Sequence, residues 1–144
     1  MTWSFDIRSA LVVGALLTML VGALMLLASR TLPSSYRRSM LWWVAATMML
    51  PGSSIALVLR DGGPSWVGVL VSNTLVGAAF AAVAIALEIF QGRPRRRVHL
   101  WLLVGAMAVA TVGMRDFVPD RAVRLSVVVA LLAGLLASAL WNLY

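Results

Sequence analysis

Hydrophobic residues along this chain fall in five long runs, Ser9–Ser29, Met40–Leu59, Trp66–Phe90, Val98–Met114 and Ala122–Leu143, and polar residues gather in the short gaps between them. A helix needs about 20 apolar residues, within a range of about 17–25, to cross the hydrocarbon of a bilayer. Each run meets that requirement. None alternates apolar with polar residues, as the strands of a membrane barrel must. The pattern therefore predicts an all-α fold, a polytopic integral-membrane bundle of five transmembrane helices in a single domain over residues 1–144. The first run is too long for the apolar core of a signal peptide, and only Arg8 serves as a basic flank, so it is expected to be a retained helix.

The gaps carry helix breakers where the runs stop. Pro33 lies in "RTLPSSYRRS", Gly62, Gly63 and Pro64 in "RDGGPS", Gly92 and Pro94 in "QGRPRRR", and Pro119 in "RDFVPDR". No gap has room for a separate soluble domain, and no internal repeat or low-complexity tract is visible.

Charge sharpens this picture. Of the residues, 62% are hydrophobic and 12% charged, and the net charge of +7 comes from twelve basic residues, all arginine, against five acids. Nucleic-acid binders set their basic residues along a face or groove. Here they sit in the gaps between apolar runs, so no nucleic-acid partner is expected. Cytoplasmic loops are enriched in Lys and Arg. Arg30, Arg37 and Arg38 in the first gap and Arg93, Arg95, Arg96 and Arg97 in the third lie on one side, seven in all. The five on the other side, Arg8, Arg60, Arg115, Arg121 and Arg124, are accompanied by Asp6, Asp61, Asp116 and Asp120. This bias predicts an outside N-terminus and a cytoplasmic C-terminus. The arginines thus read as topology anchors, with a second role against anionic headgroups worth about 1 kcal/mol each. All six tryptophans fall near run ends, where aromatic belts form, and read as interfacial anchors.

Polar and small residues inside the runs supply the candidate sites. In lipid, small residues let helix backbones approach closely. Ala10, Gly14, Thr18 and Gly22 repeat every four residues in the first run, and Ala130, Gly134 and Ser138 do so in the last. Pro51 should kink the second helix, with Ser53 and Ser54 able to satisfy the freed carbonyls. In the third run Asn73, Gly77, Ala81, Ala84 and Glu88 share one helical face. Asn73 lies about 10 Å below Trp66, within the hydrocarbon, where an amide needs a partner. Asn73, Gly77, Pro51, Gly14, Gly22 and Gly134 are therefore the candidate packing or switch residues.

Glu88 is the one acid inside an apolar run. Intramembrane acids are functional suspects. But the third run, about 37 Å as a helix, exceeds a hydrocarbon core of about 30 Å. Glu88 can then sit at headgroup level and pair with a nearby arginine such as Arg93. A proton or cation site is the alternative.

Candidate chemistry is sparse. There is no cysteine and one histidine, His99, which reads as an interfacial side chain at the start of the fourth run. No metal-ligand spacing, nucleophile elbow or phosphate loop appears. No enzymatic activity and no cofactor or metal are expected.

The order "RRSMLWWVAATMMLPGSSIALVLRDGGPSWVGVLVSNTLVGAAFAAVAIALEIFQGRPRRR" resembles the membrane-spanning input region of bacterial diguanylate cyclases. In that family an Arg and Trp open one helix, which ends in Arg before a Pro-Trp turn. The next helix carries an early Asn and ends in a Phe-x-Gly-Arg-like segment. The matching positions are Arg38 with Trp42 or Trp43, Gly52, Arg60, Pro64, Trp66, Asn73, Phe90, Gly92 and Arg93. The later "DRAVRLSVVVALLAGLLASALW" is similar to the helix after the outer loop, so the resemblance runs from about Arg37 to Trp141. Pro51 departs from the pattern. No GG-D/E-EF motif occurs up to Tyr144, so no cyclic di-GMP synthesis is expected of this chain.

The resemblance implies a sensory or anchoring module in a bacterial inner membrane. Its partners would be the bilayer and a cytoplasmic output domain or protein at the C-terminus, and homo-oligomerisation stays open. The alternatives are a small multi-pass transporter or channel subunit, or a scaffold of a membrane complex. Replacing Arg93, Arg95, Arg96 and Arg97 together by Gln should give mixed or inverted insertion. A periplasm-active reporter fused after Tyr144, silent on the wild-type chain, should then become active; unchanged silence would remove these arginines as the topology anchor.

Overall fold

The structure, a computed structural model, describes residues 7–58, 65–92, 98–117 and 121–141. Among these residues there are five α-helices and no strand: α1 (Ile7–Ser29), α2 (Ser34–Val58), α3 (Ser65–Phe90), α4 (Val98–Phe117) and α5 (Arg121–Trp141). The apolar spans Ser9–Ser29, Ser34–Val58 and Trp66–Phe90 are long and apolar enough to cross a membrane. The apolar parts of the last two helices, Val98–Met114 and Val123–Ala137, are shorter. Arg115 and Asp116 fall in the last turn of α4, and Arg121 and Arg124 in the first turn of α5.

The helices overrun the apolar runs. α2 begins at Ser34, not Met40, and takes Tyr36, Arg37 and Arg38 into its first turns. The Pro33 carbonyl accepts the backbone N–H groups of Tyr36 and Arg37, both at 3.0 Å, and so starts the helix. Arginine is a good helix former, and its charge keeps this end at water without unwinding it. α3 stops at a left-handed glycine, Gly92, with φ of 68°. Its N–H donates to the Ile89 carbonyl at 3.1 Å, and that of Gln91 to Leu87 at 3.0 Å. A side chain here would be strained, which is why glycine ends the helix.

α3 is the hub. It packs against α2, α4 and α5; α1 packs on α2, and α5 also on α4. Most of the C-terminal half of α3 is buried, and most of its buried residues are small. Ala78, Ala81, Ala84 and Ile85 meet Leu100 and Val104 of α4 and Leu135 of α5. Ala79 and Ala82 meet Ala46 of α2. Trp42 packs against both clusters. That ring therefore works inside the bundle, unlike Trp101 and Trp141, which are exposed.

α1 sits at the edge. Its seam against α2 is Ala15, Gly22 and Ser29, all buried and spaced by seven. The step-by-four set read from the sequence is only partly used. Four residues advance a helix by slightly more than one turn, so such a stripe drifts by about 40° per step. Gly22 reaches α2, where an added Cβ would meet Met48 Cε at 2.6 Å and Thr47 Oγ1 at 3.0 Å. Gly14, two steps away, has nothing within 4 Å. Gly22→Leu should therefore destabilise the bundle by about 1–3 kcal/mol through overpacking. Gly14→Leu should stay within about 0.5 kcal/mol of wild type. Unfolding of both variants in mild detergent checks this; equal losses would mean α1 is seated differently.

Candidate functional site: the α3–α4 interface

The face of α3 that carries Asn73, Gly77, Ala81 and Ala84 lies against α4. Asn73 Nδ2 donates to Thr111 Oγ1 at 3.3 Å. This is long for such a bond, so the contact is weak. The Thr111 hydroxyl in turn donates to the Met107 carbonyl at 2.8 Å within its own helix. One turn along, the Met107 side chain, fully buried, lies across Gly77: a Cβ there would be 3.2 Å from Sδ, with Val104 Cγ2 at 3.7 Å. Ala81 and Ala84 follow against Val104 and Leu100. Each step up α3 is thus a step down α4, as antiparallel packing requires.

Glu88 closes this face at the C-terminal end of α3, near the start of α4. It is buried, with 4% exposure. Two residues earlier the Ala86 carbonyl accepts the buried Ser39 hydroxyl of α2 at 2.7 Å. This second interhelical polar contact has no counterpart among the residues singled out from sequence. A serine one turn inside a helix start carries no mark that separates it from a solvated one. At the same end, the Tyr36 and Phe90 rings lie 5.8 Å apart. The α1–α2 turn with exposed Arg30, and the first turns of α2 with exposed Arg37 and Arg38, therefore share an end with the C-terminus of α3. Arg93, Arg95, Arg96 and Arg97 lie outside the described residues.

The remaining candidates disperse. Pro51 is fully buried inside a continuous α2. It has no N–H for the Thr47 carbonyl one turn earlier. Yet Ser53 and Ser54 do not turn to that carbonyl; their hydroxyls meet the Leu50 carbonyl, at 2.7 and 3.4 Å. Gly134 of α5 has nothing within 4 Å and is exposed. His99 is half-buried in the first turn of α4. Among the described residues no three His, Cys, Asp or Glu side chains are grouped to hold a metal ion. The sequence matches no family model, and no curated protein or solved structure matches it either.

What this arrangement can do is mechanical. A Gly/Ala surface lets α3 and α4 approach, Met107 fills the space over Gly77, and one weak polar bond marks the register. Interhelical polar contacts in membranes average about 0.6 kcal/mol and reach about 1.7. Asn73→Leu and Thr111→Val should each cost an amount in that range, and the double variant no more than the larger single loss. A double-mutant cycle by unfolding in mild detergent measures the coupling; full additivity would show that the two side chains do not work together.

Proposed function

We propose that this chain is a multi-pass sensory or anchoring module of a signalling protein in a bacterial inner membrane, working by helix packing and not by chemistry of its own. All five helices cross the bilayer in this reading, with the N-terminus outside and the C-terminus cytoplasmic. α4 and α5, of 20 and 21 residues, are each about 30 Å long and so match the hydrocarbon thickness despite their charged ends. The observation that carries the reading is the weak Asn73–Thr111 bond in an interface otherwise made of Gly, Ala and Met. Such an interface can slide or rotate between two packings of similar energy, and a stimulus that favours one shifts the population. The resemblance of Arg37–Trp141 to cyclase input regions supplies the output: a catalytic domain on the cytoplasmic side, reading the position of the last helix.

A second reading has its own observation. Glu88 is a carboxyl buried at a helix end in a bundle of apolar spans, a setting in which acids serve ion or proton paths. A small transporter or channel subunit would use it.

One set of measurements separates the two. In a chimera carrying an active diguanylate cyclase domain after Tyr144, Asn73→Leu should change cyclic di-GMP output by about fivefold for each 1 kcal/mol of altered balance. Unchanged output alongside a destabilised bundle would sink the sensory reading. A proton- or cation-driven flux in reconstituted vesicles that Glu88→Gln abolishes would establish the transporter in its place.

A further inference from the structure

The two interfaces that α3 makes with α2 and α4 are fastened differently. Along α2, Ser39, Ala46 and Ser53 are buried and spaced by seven. Along α3, which runs the other way, Ala86, Ala79 and Ser72 are buried at the same spacing. The two sets meet rung by rung. The Ser39 hydroxyl donates to the Ala86 carbonyl at 2.7 Å. Ala46 shares one packed cluster with Ala79. The next step of seven brings Ser53 to the level of Ser72. The helices are still close there: on Gly52, beside Ser53, an added Cβ would be 3.3 Å from Leu75 Cδ1. A spacing of seven keeps a seam turned to its partner, so the rungs hold over about 21 Å of both helices.

Across α3 and α4 the fastening is looser. The bond there, from Asn73 to Thr111, is 3.3 Å long, beyond the usual range for its kind, whereas 2.7 Å is the ordinary length of a hydroxyl bond. The side chain over Gly77 is Met107, unbranched and able to change rotamer to fit a new space. Displacing α4 therefore costs one weak bond and a methionine rotamer. Displacing α2 breaks a buried bond of full strength and parts three close rungs. We infer that α2 and α3 move as one body, and that α4 is the helix displaced against it when the packing changes. The inference rests on the sensory reading above and names its moving part. α1 packs on α2 and rides with the fixed pair, while α5 packs on both α3 and α4, so a displacement of α4 reaches it.

The chain contains no cysteine, so spin labels can be placed in pairs at exposed positions. Leu41→Cys with Val71→Cys spans α2 and α3, and Val71→Cys with Leu102→Cys spans α3 and α4. Dipolar spectroscopy in phospholipid vesicles then reads both distances, with and without Asn73→Leu, or Thr111→Val where the first does not fold. The α3–α4 pair should show two distances whose ratio changes about fivefold in the variant. The α2–α3 pair should keep one unchanged distance. An α2–α3 distance that shifts along with the other, or an α3–α4 distance that does not respond, overturns the inference. Cyclic di-GMP output from a cyclase domain fused after Tyr144 tests the sensory reading separately. Output unmoved by Asn73→Leu removes that reading, while the distances still decide which helix moves. Where output does respond, a disulfide between Ala46→Cys and Ala79→Cys should leave the response in place. Its loss on oxidation and return on reduction would overturn the inference alone.

Discussion

Helices in lipid gain nothing by hiding apolar surface from one another, because acyl chains are as apolar as leucine; they associate where their backbones can come close. α3 meets this constraint along most of its C-terminal half. Ala78, Ala79, Ala81, Ala82, Ala84 and Ala86 are all buried, and Gly77 continues the surface toward the middle of the helix. The small residues point in every direction, so α2 can pack on one side while α4 and α5 pack on the other. The rest of the arrangement depends on this. Among the described helices, α1 packs on α2 alone.

Much of this was legible in the sequence, and the failures have particular causes. Length and hydropathy mark five helices, yet they mark the apolar run and not the helix. A helix continues through its charged first turns when a residue such as Pro33 starts it and the arginines favour it, so α2 begins six residues before Met40. Small residues are visible in a sequence, but their direction is not. A repeat of four looks like a stripe on paper and drifts around the real helix. Ala15, Gly22 and Ser29, at the spacing that keeps a seam facing one partner, were mixed among other small residues. For the same reason Gly22 and Gly77 meet neighbours, while Gly14 and Gly134 do not.

The polar residues divide in a similar way. Asn73 stands out because an amide in hydrocarbon cannot satisfy itself within a helix, so its need for a partner could be read from one position. Thr111 and Ser39 do not stand out. A hydroxyl can bond a carbonyl of its own helix, as Thr111 does with Met107 and Ser53 with Leu50. Nothing local shows which hydroxyl also takes a partner from elsewhere. Pro51 stands out as well, since a proline inside an apolar run should kink its helix; its ring is fully buried in an unbroken α2, which fits a packing role there.

Hydropathy itself carries a different meaning here than in water. The most hydropathic of the three long spans is in α1, which is also the least buried. α3 is less hydropathic and the most buried. In a water-soluble protein the order would be reversed, because burial there is driven by apolar area. In a bilayer large apolar side chains belong on the lipid face; Leu16, Leu17, Leu20, Leu24 and Leu27 of α1 are all exposed, as that setting would favour. Small and polar residues take a large share of the contacts, with alanine, glycine, Ser29, Ser39, Ser53, Ser72 and Glu88 buried beside Ile85, Leu100, Met107 and Leu135. Alanine and glycine let the backbones close, and the hydroxyls among them return to backbone carbonyls at Leu26, Ala86 and Leu50. Specificity in such a bundle therefore resides in its least hydrophobic positions. A change in function is most readily made where those positions meet across two helices through a weak contact, as at Asn73 and Thr111, and least readily in the closely packed alanines of α3.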